Sequence, residues 1–290
     1  QAIAQPAPQT IDSPRPAEIA NTMRMRDGWS LQLVASEPMV VDPVSAAFDP
    51  QGRLWVVEMP DYPQPVHDSK PIQGRIRILR DVDGDGSMDQ ATTFADGLNF
   101  ATGVLPWPSK VASKNESQMD GAIVTLAGEI AWLRDTDGDG IADDHQTWFR
   151  GFTTGNEQLR ANHPILGPDG LVYVANGLRG GKIEAVASRF DPAAGPLTLS
   201  KNDFCFDPHG GYWGPVSGNS QHGLTIDDFG RRIGCSNRNP AIQAVLSANT
   251  IQRDRELAPT DALLDIAVAG EHSEVHPISD AWTTSHLHAG

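Results

Sequence analysis

One octapeptide occurs twice, and that repetition constrains the fold more than any other feature of the chain. Leu79-Arg80-Asp81-Val82-Asp83-Gly84-Asp85-Gly86 returns 54 residues later as Leu133-Arg134-Asp135-Thr136-Asp137-Gly138-Asp139-Gly140. Each copy is followed three residues on by another aspartate, Asp89 or Asp143. A second element recurs beside it. Ala47 to Val56, Ile165 to Val174 and Leu224 to Ile233 each read as strand, tight turn, strand, with turn glycines Gly52, Gly170 and Gly230. The step from Gly52 to Gly170 spans two repeat lengths, so a further turn is expected near residue 111. The strand-like Gly121–Leu126 follows that point after a polar insertion over 106–120. A repeat of nearly 60 residues built from short strands and glycine turns is the pattern of propeller blades, each a four-stranded antiparallel sheet.

The strands carry the matching periodicity. Arg75-Ile76-Arg77-Ile78 alternates, as a half-buried strand does. Leu171-Val172-Tyr173-Val174 is continuously apolar, as expected where both sheet faces are covered. Four units are read, roughly 44–98, 99–158, 159–217 and 218–290, and the fourth lacks a closing strand. The expectation is an all-β protein, a β-propeller of six-bladed type with about four blades present, cut short. Residues 1–27 are read as an extended N-terminal tail and 28–290 as the incomplete propeller.

Composition narrows the function classes. With 28 Gly and 22 Pro, the chain is poorly suited to long helices. The 22 Lys and Arg against 37 Asp and Glu give a formal charge of −15, which disfavours nucleic acid or an anionic membrane as partner. No apolar run is long enough to span a bilayer. Cys205 and Cys235 form no metal, redox or haem-attachment motif; they read as two buried thiols, with a single disulfide as the alternative. The Ala/Gln/Pro-rich start, Gln1 to Pro16, reads as a tail left after a cleaved export signal, so a periplasmic or extracellular location is expected.

The acidic loops are candidate cation sites. Asp81, Asp83, Asp85 and Asp89 stand at loop positions 1, 3, 5 and 9, and so do Asp135, Asp137, Asp139 and Asp143. Carboxylates on alternate residues of a tight loop converge on one point, and hard oxygen ligands select Ca²⁺. These are not EF-hands: position 12 is Thr92 or Gln146, and a strand precedes each loop. A hairpin that uses Asp and Gly for turn geometry alone is the alternative.

Loops entering the first strand of each blade are where channel residues are expected. They contain Asn99, the stretch Gln158 to His163, and Gly218 to Gly223. His163 is the candidate general base, because imidazole titrates near neutrality. Arg160 is a candidate for stabilising negative charge. Asn219 and His222 are candidates to line the channel, and Glu58, Asp61 and Tyr62 to reach its rim. His272, His276, His286 and His288 follow no strong ligand spacing.

Several segments together resemble the planctomycete-type bacterial membrane-bound dehydrogenase propeller domain. They are Leu33 to Pro38, Val56 to Met59 with Asp61-Tyr62-Pro63, the two acidic loops, Gly167 to Gly170, and Gly223 to Pro240. That family is in turn similar to the soluble quinoprotein glucose and sorbosone dehydrogenases. The resemblance implies an exported domain that oxidises a sugar or alcohol with pyrroloquinoline quinone and Ca²⁺, passing electrons to a c-type haem (cytochrome) domain or partner. It implies His163 as the catalytic base, Arg238 and Asn239 as quinone contacts, Asn99 near the place of a channel Gln, and Arg160 as a further cofactor contact. The alternative is a non-catalytic, Ca²⁺-braced propeller that binds carbohydrate or a protein partner.

Overall fold

The computed structural model describes residues 15–63, 71–109, 120–247 and 262–267. The first antiparallel sheet runs in chain order through β1 (Pro43–Phe48), β2 (Leu54–Glu58), β3 (Arg75–Arg80) and β4 (Gln90–Ala95). The next meander comprises β5 (Gly103–Trp107), β6 (Gly121–Leu126), β7 (Glu129–Arg134) and β8 (Asp144–Phe152). The third unit opens with β9 (Asn162–Leu166) and β10 (Val172–Ala175). A hairpin of β11 (Gly181–Ala185) and β12 (Leu197–Leu199) interrupts it before β13 (Asp203–Phe206) and β14 (Trp213–Val216). The fourth comprises β15 (Leu224–Ile226), β16 (Arg232–Gly234), β17 (Ile242–Ala244) and β18 (Leu263–Asp265). The first strands of successive units pack side by side, β1 on β5, β5 on β9 and β9 on β15. The architecture is all-β and blade-like, as the repeat requires. Within the stretch read as an extended tail, Pro16–Thr22 forms a short helix, with Pro16 in its first turn and Glu18 bonded back to the Arg15 backbone.

The repeated turns share a mechanism. Asp49 Oδ1 accepts the N–H groups of Gln51 and Arg53, and Asp227 Oδ1 those of Phe229 and Arg231. Asp169 Oδ1 accepts from Leu171. The second oxygen then ties the turn to the following strand: Asp49 to the Trp55 indole and Asp169 to the Tyr173 hydroxyl. A positive φ of 76° at Gly52 completes the turn where a side chain would be strained.

One departure from simple blades is the β11–β12 hairpin. It leaves the third unit and extends the second sheet, β11 pairing with β8 through Glu184–Arg150 and Ala185–Phe149. Glycines permit the approach. A Cβ on Gly151 would sit 2.0 Å from the Lys182 carbonyl oxygen.

The main core lies between the second and third units. Trp148, Phe149, Phe190, Phe204 and Phe206 are fully buried there, with Phe149 centred 4.5 Å from Phe190 and 5.0 Å from Phe204. Burying one such ring stabilises the fold by about 1.5–3 kcal/mol. Trp55 and Phe94 centre a second cluster between the first and second units. At the ends of the array, Phe48 and Phe229 are largely exposed.

Candidate functional site

Asn162 organises the site. Its buried side chain donates to the carbonyls of Arg160 and Gln221 and accepts from the Gly223 N–H, all at 2.8–2.9 Å. These bonds fasten the loop before β15 to β9 and bring His222 to His163. The two imidazoles meet edge to face, centroids 5.1 Å apart. His163 has a φ of 49°, the left-handed region that non-glycine residues rarely enter. Gly103 allows β5 to pass close by, since a Cβ there would lie 2.6 Å from the His163 nitrogen.

Burial, reinforced by His222, pushes the His163 pKa down to about 4. Burial also holds His222 below the usual imidazole value. Both rings are therefore neutral near pH 7, and each then has one nitrogen able to accept a proton. His163 Nδ1 is buried without a hydrogen-bond partner.

His222 lines a cavity of about 370 Å³, together with hydrogen-bonding side chains of Tyr62, Gln158, Gln221 and Asn237. Val44 and Met59 supply apolar wall, and Glu157 is its one carboxylate. Gln158 Nε2 donates to the Tyr62 hydroxyl at 2.6 Å, joining the first unit to the segment entering the third. Gln221 Oε1 accepts from the Asn237 N–H at 3.0 Å. His163 stands behind His222 instead of on the cavity wall.

The other sequence-derived contacts are dispersed. Arg160 is buried, with its guanidinium 4.4 Å from the Phe100 ring centre, bonded to the Thr154 carbonyl and 3.6 Å from Glu157. Asn99 is exposed in the β4–β5 connection. Arg238 is exposed and Asn239 half-buried, and the N–H groups of both donate to Ser236 Oγ in the β16–β17 turn. Asn219 bonds to Asn176. Glu58 is buried against Arg75 at 2.7 Å, and Asp61 holds the Gln73 and Gly74 N–H groups. Both cysteines are unpaired, Cys205 buried and Cys235 half-buried. The C-terminal histidines 272–288 lie outside the described residues. Gln221 lies in the Gly218–Gly223 loop expected from the sequence to carry site residues, whereas Asn237, beside Arg238, carries no ligand signal of its own.

Pyrroloquinoline quinone carries several carboxylates, so it requires facing cations. Among the described residues the cavity wall presents no Lys or Arg. This wall therefore does not fit an anionic quinone.

The acidic loops occupy equivalent positions, β3–β4 and β7–β8. In the first, Asp81 accepts the Gly84 and Gly86 N–H groups at 2.7 and 2.8 Å. In the second, Asp135 accepts those of Gly138 and Gly140 at 2.6 and 2.8 Å. Oxygens of Asp81, Asp83 and Asp89 lie within 4.8 Å of one another, as do those of Asp135, Asp137 and Asp143. Asp85 and Asp139 stand outside these groups and accept from Ser87 and Ile141. Three convergent carboxylates per loop fit a hard divalent cation.

No described helix is long and apolar enough to cross a membrane. No curated protein matches the sequence. Solved structures that resemble the chain include the quinone-binding domain of pyranose dehydrogenase from Coprinopsis cinerea. That likeness has 14% identity and a TM-score of 0.43, over 71% of this chain and 44% of that one. A family AA12 carbohydrate-active enzyme from Trichoderma reesei matches at 14% identity and a TM-score of 0.44, over 76% and 49%. A gluconolactonase from Xanthomonas campestris matches at 16% and 0.39, over 72% and 60%. The chain spans about half the length of the first two. At these scores the likeness decides neither activity nor cofactor. Residues 15–290 match the family described as a domain of unknown function, DUF7133, and the chain belongs to that family.

Proposed function

We propose that this domain binds a neutral, hydroxyl-rich small molecule, a sugar or alcohol, in the cavity beside His222. The observation that supports the reading most directly is a neutral imidazole pair backing a wall of amide and hydroxyl groups, with no Lys or Arg among the described lining residues. Amide and phenol groups match ligand hydroxyls, which both donate and accept. Val44 and Met59 match the apolar carbon faces.

In the dehydrogenase-like form of this reading, a ring nitrogen of His222 takes the proton of a ligand hydroxyl. His163 acts as a positioning residue that packs edge to face against His222 and orients its ring. The described wall offers no cation to hold a quinone, so no electron-transfer step to a quinone or to a c-type haem partner is assigned. Ca²⁺ at the two acidic loops braces the outer hairpins, and an exported location supplies that ion. The absence of Lys and Arg from the described wall favours the second reading, a Ca²⁺-braced carbohydrate-binding domain without chemistry of its own.

The test is calorimetric titration with a panel of aldoses and alcohols, paired with dye-coupled turnover in added quinone and Ca²⁺. Saturable binding that weakens about tenfold in His222→Ala supports the cavity assignment. Turnover lost in the same variant supports the dehydrogenase form, and binding without turnover supports the second reading. Failure of the whole panel to bind overturns both.

A further inference from the structure

We infer that the buried Asp203 is a second positioning residue of the imidazole site, fixing the loop that carries Gln221 and His222 to the cavity. The role rests on the proposed reading of that cavity as the binding site.

The third sheet runs in the order β14-β13-β10-β9, and the loop over 217–223 crosses its end from β14 before entering β15. Each strand that it passes fastens it. The Asp203 N–H, on β13, donates to the Gly218 carbonyl at 3.1 Å. One oxygen of the Asp203 carboxylate accepts the Ser220 N–H at 2.9 Å, and the other accepts the Ser220 hydroxyl at 2.8 Å. Just beyond β10, the Gly177 N–H donates to the Ser220 carbonyl at 3.0 Å. Asn162, on β9, then holds the Gln221 carbonyl and the Gly223 N–H. Gln221 and His222 lie between these anchors, and both line the cavity.

A carboxylate as deeply buried as Asp203 is costly unless donors surround it. It accepts the Asn176 N–H at 3.1 Å as well. Burial pushes its pKa up, and the Ser220 and Asn176 donors with the Arg232 guanidinium oppose that rise. A buried ion of this kind is weak evidence for stability. What it supplies here is geometry, because two N–H groups and a hydroxyl from separate segments must meet at one point. The packing leaves little slack. A Cβ on Gly218 would lie 2.0 Å from Asp203 Oδ2, and one on Gly234 would lie 2.1 Å from Ser220 Oγ.

The test is an NMR pH titration of the histidine rings without ligand. Burial holds His222 below 6.5, so a loosened loop that admits water raises its pKa toward that value. Losing the Asp203 anion acts the other way, because a nearby negative charge favours imidazolium. Asp203→Ala is therefore expected to raise the His222 pKa. Asp203→Asn keeps an acceptor for the N–H groups and offers its amide to the Ser220 hydroxyl, so it returns the pKa to the wild-type value or below. The other titratable groups around His222 are His163, Tyr62, Glu157 and Cys235, whose thiol donates to the His222 carbonyl. None of them bonds to Asp203 among the described residues. If Asp203→Ala loses its native circular dichroism, Ser220→Ala carries the test through a smaller rise. In aldose titrations Asp203→Ala weakens binding several-fold, and it adds little in a His222→Ala background. An aldose panel that fails to bind overturns the functional reading alone, since the ring titration needs no ligand. An unchanged His222 pKa in folded Asp203→Ala, or in Ser220→Ala where that variant carries the test, overturns the positioning role. So does a rise of equal size in Asp203→Asn.

Discussion

The acidic hairpins and the imidazole cavity of this domain hold opposite kinds of polar group. On the hairpins most of the aspartates are exposed, Asp81 and Asp135 being the more covered, and backbone N–H groups orient them in two loops that share one hydrogen-bond pattern. At the cavity the same chain places two imidazoles whose burial keeps them uncharged, beside amides and hydroxyls. Water and oriented amides sustain the carboxylate charge; withdrawal from water suppresses the imidazolium. The contrast teaches where each ligand class belongs. A hard cation suits the hairpins, and a neutral molecule suits the cavity.

The two loops also differ from each other. Asp135 is 5% exposed, whereas Asp81 is half-buried. Thr136 Oγ1 reaches Asp143 at 2.8 Å, a bond that Val82 cannot make to Asp89. The first loop is fastened from outside, by Gln32 Nε2 on the Asp85 carbonyl and Ser87 Oγ on the Leu33 carbonyl. One sequence signature therefore sits in two settings, one buttressed from within and one from the N-terminal segment.

The largest expected effect breaks the contrast at the imidazole pair. His163 has a folded-state pKa of about 4, below the ordinary 6.5. The unfolded chain thus takes up the proton first as pH falls. The stabilisation from keeping His163 neutral is complete above pH 6.5 and is lost toward pH 4, amounting to about 3 kcal/mol. Urea unfolding across that window shows the slope, and His163→Gln flattens it relative to the wild type.

A smaller effect sharpens the comparison between the loops. Asp135→Ala leaves two N–H groups without their acceptor in a covered position and costs about 2–3 kcal/mol. The same change at Asp81, where water can replace the carboxylate, costs about 1 kcal/mol. Denaturation midpoints of the two variants decide whether burial sets the order, and equal losses would remove the distinction.

Ca²⁺ gives the smallest effect. At ten times its dissociation constant it stabilises the domain by about 1.4 kcal/mol per occupied loop. Thermal melts with Ca²⁺ and with chelator report it. Asp89→Asn and Asp143→Asn each remove part of the shift, while Asp85→Asn, outside the convergent group, leaves more of it.

How much of this was legible in the sequence depends on how local the interactions are. The blade repeat was legible because each turn carries its own aspartate and glycine, as Asp49 with Gly52 and Asp227 with Gly230 show. The acidic loops were legible for the same reason. Exchange of the β11–β12 hairpin onto the second sheet was not, since Gly177 to Gly181 looks like any turn and the partner strand is chosen in space. The imidazole site was half legible. His163 and His222 stood out as polar residues entering blade strands, but the buried Asn162 side chain that joins them looks like ordinary loop chemistry in the sequence. The quinone contacts were carried over from short resembling motifs, and those fix a residue type without fixing the direction in which it points.

On the proposed reading the cavity beside His222 takes a neutral ligand against an uncharged imidazole pair. The most direct measurement follows the His163 and His222 ring signals by NMR during titration with an aldose and, separately, with pyrroloquinoline quinone. The account predicts that the aldose shifts the His222 signals saturably, with a smaller response at His163, while the anionic quinone leaves both unmoved. Saturable shifts from the quinone with none from any neutral polyol would contradict it.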